Sequence, residues 1–180
     1  MALKYSGNIN ELCYPFIYEE SPLCDYEILT DELCAVIGGI ITELEEGECF
    51  HDIHQFLQKL QPLIFDLNGS IRGKQAIYEA EILKVSKAFE RFQQEIEGQI
   101  KGFVLPRGGR VVQELHRARS LAKKTIRALV RVDAQSIKVP DELHRFANLL
   151  CNLFFCLTVV INRRLGIIEP EYLSRSYKKP

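Results

Sequence analysis

The sequence predicts an all-α fold, a five-helix antiparallel bundle, and three observations carry that expectation. Apolar residues recur at helical spacing over five separate stretches. Glycine, proline and polar breaks part those stretches by mostly short connections, which favours antiparallel neighbours. Between them there is no run of alternating apolar and polar residues long enough to defend as a strand. With 180 residues, 47% of them apolar and 26% charged, the chain can fill the core of one domain.

Residues 1–24 read as an irregular N-terminal segment, with Gly7, Pro15 and Pro22 as breakers. The first helix, over residues 25–46, carries Leu29, Leu33, Val36, Ile37, Ile40, Ile41 and Leu44 on a broad apolar face, and Gly47 ends it. The second, over 51–71, carries Ile53, Phe56, Leu57, Leu60, Ile64 and Leu67, with Pro62 inside it as an expected kink. Gly73 separates it from a third, over 74–100, built on Ile77, Ile82, Val85, Phe89, Phe92 and Ile96. The fourth starts at the Gly108-Gly109 break and runs over 109–132. The fifth starts at Pro140, a good first-turn residue, and runs over 140–165. The fifth is apolar on nearly every face, which suggests a central helix, an oligomer interface, or both. The bundle domain is thus expected over residues 25–165, and residues 166–180 read as a polar, basic, mobile tail.

A formal net charge of −1 leaves no global basic field to attract nucleic acid. The apolar-rich run from Leu149 to Ile161 is interrupted by Asn152 and reads as a buried helix, so no membrane span is expected. The first residues, MALKYSGNINEL, hold no continuous apolar stretch of signal-peptide type. Cys13, Cys24, Cys34, Cys49, Cys151 and Cys156 form no CxxC pair, so they read as reduced cytoplasmic thiols, most of them core fillers. Cys49, His51 and His54 lie close in sequence but lack a second ligand pair, and plain helix-start residues are the simpler reading.

The most informative stretch is KGFVLPRGGRVVQELHRAR, residues 101–119. It leads into Arg119, Lys123 and Arg127 at i, i+4 and i+8, a cationic row on one helical face that suits a polyphosphate, or a merely solvated face. Asp31 sits inside an apolar stripe of the first helix and wants a cation, for which Arg119 is the natural candidate. Phe103, between Gly102 and Pro106, either lines an apolar ligand pocket or plugs a bundle end. Asn148, Asn152 and Asn162 on the fifth helix are inter-helix glue or ligand contacts. Neither GxxxxGK[ST] nor GxGxxG occurs, so the standard nucleotide loops are absent.

Taken together, FVLPRGG, LHRAR, Lys123-Lys124 with Arg127, FANLLCNLFF with Asn162, and the upstream DELCAVIG resemble the ATP:cob(I)alamin adenosyltransferases of the propanediol-utilisation type. The likeness covers residues 25–164. It implies a five-helix bundle that forms a homotrimer with active sites between subunits. It implies ATP, Mg²⁺ and a cobalamin substrate, and transfer of the 5′-deoxyadenosyl group to cobalt with release of triphosphate. Residue by residue, it gives Asp31 and Arg119 the catalytic pair. Phe103 takes the aromatic at the lower face of the corrin, Lys123, Lys124 and Arg127 the nucleotide side, and Asn148 and Asn162 the binding amides. The sequence departs from the family where lysines replace both members of an arginine pair, where Ile126 replaces a glutamate, and where the N-terminal glycine-rich loop is missing. Those departures keep in view an alternative, a corrinoid- or ligand-binding relative that transfers nothing.

Overall fold

The structure, a computed structural model, describes residues 7–14, 16–45, 48–99, 102–135 and 137–176. Five α-helices form among them: α1 (Pro22–Leu44), α2 (His51–Gly69), α3 (Glu79–Glu95), α4 (Arg110–Ala134) and α5 (Asp141–Arg164). Short 3₁₀ turns, Ile9–Glu11 and Glu48–Phe50, precede α1 and α2. Pro22 does not break the chain ahead of α1. It is a first-turn residue, and Ser21 before it accepts from Leu23 N (3.2 Å) as the cap. The helix therefore begins three residues before the expected start.

The third helix is shorter than its periodicity suggested, because local hydrogen bonds hold its flanks in other shapes. Ser70 Oγ accepts from Ala76 N (3.1 Å), and Gln75 Nε2 donates to the Ile77 carbonyl (2.9 Å). Ile77 is thereby buried from an extended segment rather than from a helix. Glu81 then caps Tyr78 N (3.2 Å) and α3 starts. At the far end the chain leaves the helix in turns that bring Gly98 to φ 76°, and the expected end, Ile100, lies outside the described residues. Helix α2 runs continuously through Pro62.

Helix α4 is the centre of the bundle, with α1 on one side and α5 on the other; α2 packs on α1 and α3 on α5. The sequence had offered the fifth helix as a central helix, an oligomer interface, or both, and within the chain the central place is not its own. Burial explains the difference. Helix α4 buries Val112, Leu115, Ala118, Leu121, Ala122, Thr125, Ala128, Leu129 and Val132, mostly slim side chains that admit two neighbours. Helix α5 buries Phe146, Leu150, Leu153, Phe154, Leu157 and Val160. It leaves Asn148, Asn152, Phe155 and Val159 exposed or half-buried, at i, i+4, i+7 and i+11 on one face. Helices α2 and α3 close the bundle through an edge-to-face pair, Phe56 and Phe92, with ring centroids 5.8 Å apart.

Two arginines lock the periphery. Arg164, at the end of α5, reaches Asp52 on α2 (2.7 and 3.0 Å) and Glu95 on α3 (2.9 and 2.7 Å). Arg72 bonds Glu27 (2.7 Å) and Glu19 (3.0 Å) and stacks on the Phe16 ring at 4.0 Å. Tyr14 donates to Glu27 as well, which with burial raises its phenol to about 12. The described part of the N-terminal segment is thus tied down, although it is irregular. The C-terminal one is too. Residues 167–172 pair with 103–107 rather than forming a free tail, through Leu105 N to Pro170 O (2.9 Å) and Tyr172 N to Phe103 O (2.8 Å).

All six cysteines are free, yet Cys24 and Cys156 alone are fully buried. Cys13 and Cys49 face solvent, so the core-filling role holds for fewer of them than expected. Among the described residues α5 is the one helix long and apolar enough to cross a membrane, and 61% of that stretch is buried inside the bundle.

Candidate functional site

The cationic row of α4 stands open. Lys123, Lys124 and Arg127 are exposed and form no ion pair among the described residues. Arg119, at the inner end of the row, is half-buried and holds its guanidinium over the Phe155 ring, 4.5 Å from the centroid. Phe155 is also a wall of a cavity of ≈ 440 Å³. Val104, Val159, Ile167 and Ile168 supply its other apolar surfaces, and Gln99, Asn162, Arg163 and Glu169 its polar ones. The row and the cavity therefore meet at one aromatic side chain.

Phe103 does not line that cavity in this chain. It stands 65% exposed at the neighbouring position, and Val104 turns inward instead. The sequence named none of Val104, Phe155, Val159 or residues 167–169 as site residues. For Phe155 and Val159 a signal existed, the apolar face left over on α5. For 167–169 there was none, because their place depends on backbone pairing with a segment some 60 residues away.

His116 stands one turn before Arg119 on α4. Its Nε2 is buried without a hydrogen-bond partner. Burial pushes the imidazole below its usual range; nearby Glu169 opposes this and Arg119 adds to it. Burial thus disfavours the charged form of this ring beside the row.

Asp31 and Arg119 form no ion pair with each other within the chain. Their neighbours show why. Glu32 binds Arg117 at 2.7 Å across the α1–α4 contact, whereas Arg119 lies about 200° further round α4 than Arg117 and turns to α5. Asp31 is exposed and lines a different cavity, ≈ 330 Å³, with Cys13, Tyr14, Ile28, Phe65 and Asn68. Asp31 on α1 and Arg119 against α5 stand on different flanks of the bundle.

The two amides singled out by the resemblance, Asn148 and Asn162, differ. Asn148 is exposed and its Nδ2 is turned onto the His144 carbonyl (2.8 Å) of its own helix. Asn162 is buried, with Nδ2 on the Arg107 carbonyl (2.9 Å). Ile126 is half-buried between Lys123 and Arg127 in sequence, and it offers the row no acceptor.

Comparison with known proteins bears on all of this. The model of the family described as Cobalamin adenosyltransferase matches residues 22–161. A corrinoid adenosyltransferase of Bacillus subtilis (strain 168) is 28% identical over 147 residues, 79% of this chain and 75% of its own length. A cobalamin adenosyltransferase of Cupriavidus metallidurans is 28% identical over 138 residues, 76% of this chain and 72% of its own. Among solved structures, a variant PduO-type ATP:corrinoid adenosyltransferase from Lactobacillus reuteri, complexed with cobalamin and ATP, superposes with a TM-score of 0.75 at 19% identity. That match covers 87% of this chain and 89% of the other. A second variant of that type from the same organism, complexed with ATP, gives 0.76 at 19% identity over 94% and 99%. At that identity the two superpositions show a shared fold.

Proposed function

This chain belongs to the cobalamin adenosyltransferase family, and from that premise we propose that it transfers the 5′-deoxyadenosyl group of ATP to cob(I)alamin and releases triphosphate. The observation that carries the proposal is the meeting, at Phe155, of an uncompensated cationic row with an apolar cavity. A polyphosphate needs the first. A large, mostly apolar ring system with amide side chains suits the second, whose polar groups sit among Val104, Val159, Ile167 and Ile168.

In the proposed reaction the electron pair of Co(I) forms a bond to the ribose C5′, and the C5′–O bond breaks. That oxygen carries its electron pair away with the triphosphate. The leaving group gathers negative charge, and Arg119, Lys123, Lys124 and Arg127 stand where fixed cations stabilise it. Mg²⁺ held by the phosphates supplies further neutralisation. Lysine acts as a point charge and lacks the fork of arginine, so phosphate orientation is looser here than a paired-arginine site gives. The apolar wall keeps water and a polar lower ligand away from cobalt, which favours a nucleophilic metal.

The assembly we infer is a homotrimer with its sites between copies. Asp31 supports it, because it faces outward without a cation while Arg119 faces outward on another flank. Joining two copies brings such charges together, Asp31 of one with Arg119 of the next. The six free thiols suit the reducing cytoplasm as its location.

Ile126 supports a second reading, a corrinoid-binding relative without transfer, because nothing on that turn anchors the row. Mixing the protein with ATP, Mg²⁺ and reduced cobalamin separates the two. The transferase reading expects the optical spectrum of a cobalt–carbon product. Cobalamin binding with no such spectrum establishes the second reading instead.

A further inference from the structure

Asn162 is buried to 2% exposure, so it gives the cavity it borders little more than an edge. Its Nδ2 donates to the Arg107 carbonyl (2.9 Å). Its backbone carbonyl accepts from Ile167 N (2.8 Å). Its Oδ1 has no hydrogen-bond partner and rests against Gly108, where an added Cβ would meet it at 2.7 Å. Gly108 also holds φ 138°, so this turn is shaped to bring backbone against the amide.

Three parts of one residue thus join α5 to two separate segments, and those segments pair with each other. Leu105 N bonds Pro170 O, Tyr172 N bonds Phe103 O, and Val104 lies opposite Glu171. The pair forms the cavity wall that faces Phe155 and Val159. A two-stranded ladder this short is marginal by itself in water, so its place depends on an anchor.

We infer that Asn162 is the positioning residue of the cavity: through the Arg107–Gly108 turn and Ile167 it holds residues 103–107 and 167–172 as one wall. What that wall does, keeping a lower axial ligand off the cobalt of a bound corrinoid, rests on the function proposed above.

Two measurements test it. In the ligand-free wild type, amide exchange at Leu105, Ile167 and Tyr172 is expected to occur through one shared opening. Asn162→Asp, which sets a carboxylate oxygen against the Arg107 carbonyl, speeds all three by about tenfold, the factor one buried hydrogen bond carries. Amides in the middle of α5 stay protected. Asn162→Ala does the same without the added charge. Separate openings of the two segments in the wild type overturn the inference even if neither variant folds.

The second measurement is the electron paramagnetic resonance of cob(II)alamin with protein at saturation. The four-coordinate share falls about fivefold or more in Asn162→Asp, beyond any change in binding constant. A share unchanged from wild type, in a variant of normal helix content, overturns the inference. A wild type that binds no cob(II)alamin refutes the corrinoid reading, while the exchange result still decides what Asn162 holds.

Discussion

The periphery of the bundle and the outer face of α4 treat charge in opposite ways. At the periphery four carboxylates are held by two arginines: Glu27 and Glu19 share Arg72, and Asp52 and Glu95 share Arg164. On α4, Lys123, Lys124 and Arg127 have no carboxylate among the described residues, and Arg119 has an aromatic ring in place of one. The open row is not merely a shortage of acids, since the formal charge is close to balanced, 23 basic against 24 acidic residues. The difference teaches where charge serves stability and where it is held ready for something outside the chain.

The largest effect is expected from breaking the paired region. Arg72→Ala leaves the Glu27 carboxylate, at 9% exposure, with the Tyr14 hydroxyl as its remaining side-chain donor. A cost of about 3 kcal/mol is expected for stranding such a group, which in a chain of this size lowers the melting temperature by roughly 6–12 °C. Thermal unfolding followed by circular dichroism measures it. ATP affinity of the folded variant stays near wild type; an equal loss there would erase the contrast between the regions.

The converse variant is Lys123→Ala. Its melting temperature is expected within about 2 °C of wild type, while ATP affinity by calorimetry at low salt falls about tenfold, the worth of one charge-assisted contact. The wild-type affinity itself should drop steeply as salt rises, because the row is solvent-exposed. Tight ATP binding that survives Lys123→Ala makes the row a solvated face.

A smaller effect sharpens the comparison through pH. The Arg164 guanidinium hydrogen-bonds Asp52 and Glu95 and holds both carboxyls below their usual values, against the opposing effect of burial. Depressed folded-state values stabilise the protein above the ordinary carboxylate range, about pH 4, and that contribution is lost as pH falls through the lowered values. Urea midpoints measured from neutral pH into acid should therefore fall less steeply for Arg164→Gln than for wild type. Parallel curves would mean that the network is too hydrated to matter.

The smallest effect belongs to the exposed pair of Arg131 with Asp25, 3.0 Å apart and more than half exposed on both sides. Asp25→Asn should leave the melting temperature unchanged within about 1 °C, as surface pairs do. A larger shift would show that geometry alone does not sort the pairs of this chain.

The sequence by itself determined the five helices, since each carries an apolar face whose period is a local property of neighbouring residues. It also determined the α4 row, because i, i+4 spacing is enough to align Arg119, Lys123 and Arg127. Helix ends were legible where a local cap wrote them, and Ser21-Pro22 shows a cap that was there to be read as a start. The end of α2 and the start of α3 were not legible, since Ser70 and Gln75 hold residues 70–77 through contacts that periodicity does not encode. Tertiary structure alone decided that Arg119 turns to Phe155 rather than Asp31, that Val104 rather than Phe103 lines the cavity, and that residues 167–172 are docked. Each of those outcomes depends on which elements pack side by side. Helix α4 took the central place because its small buried residues let α1 and α5 approach together, a matter of volume and contact that composition along one helix does not reveal.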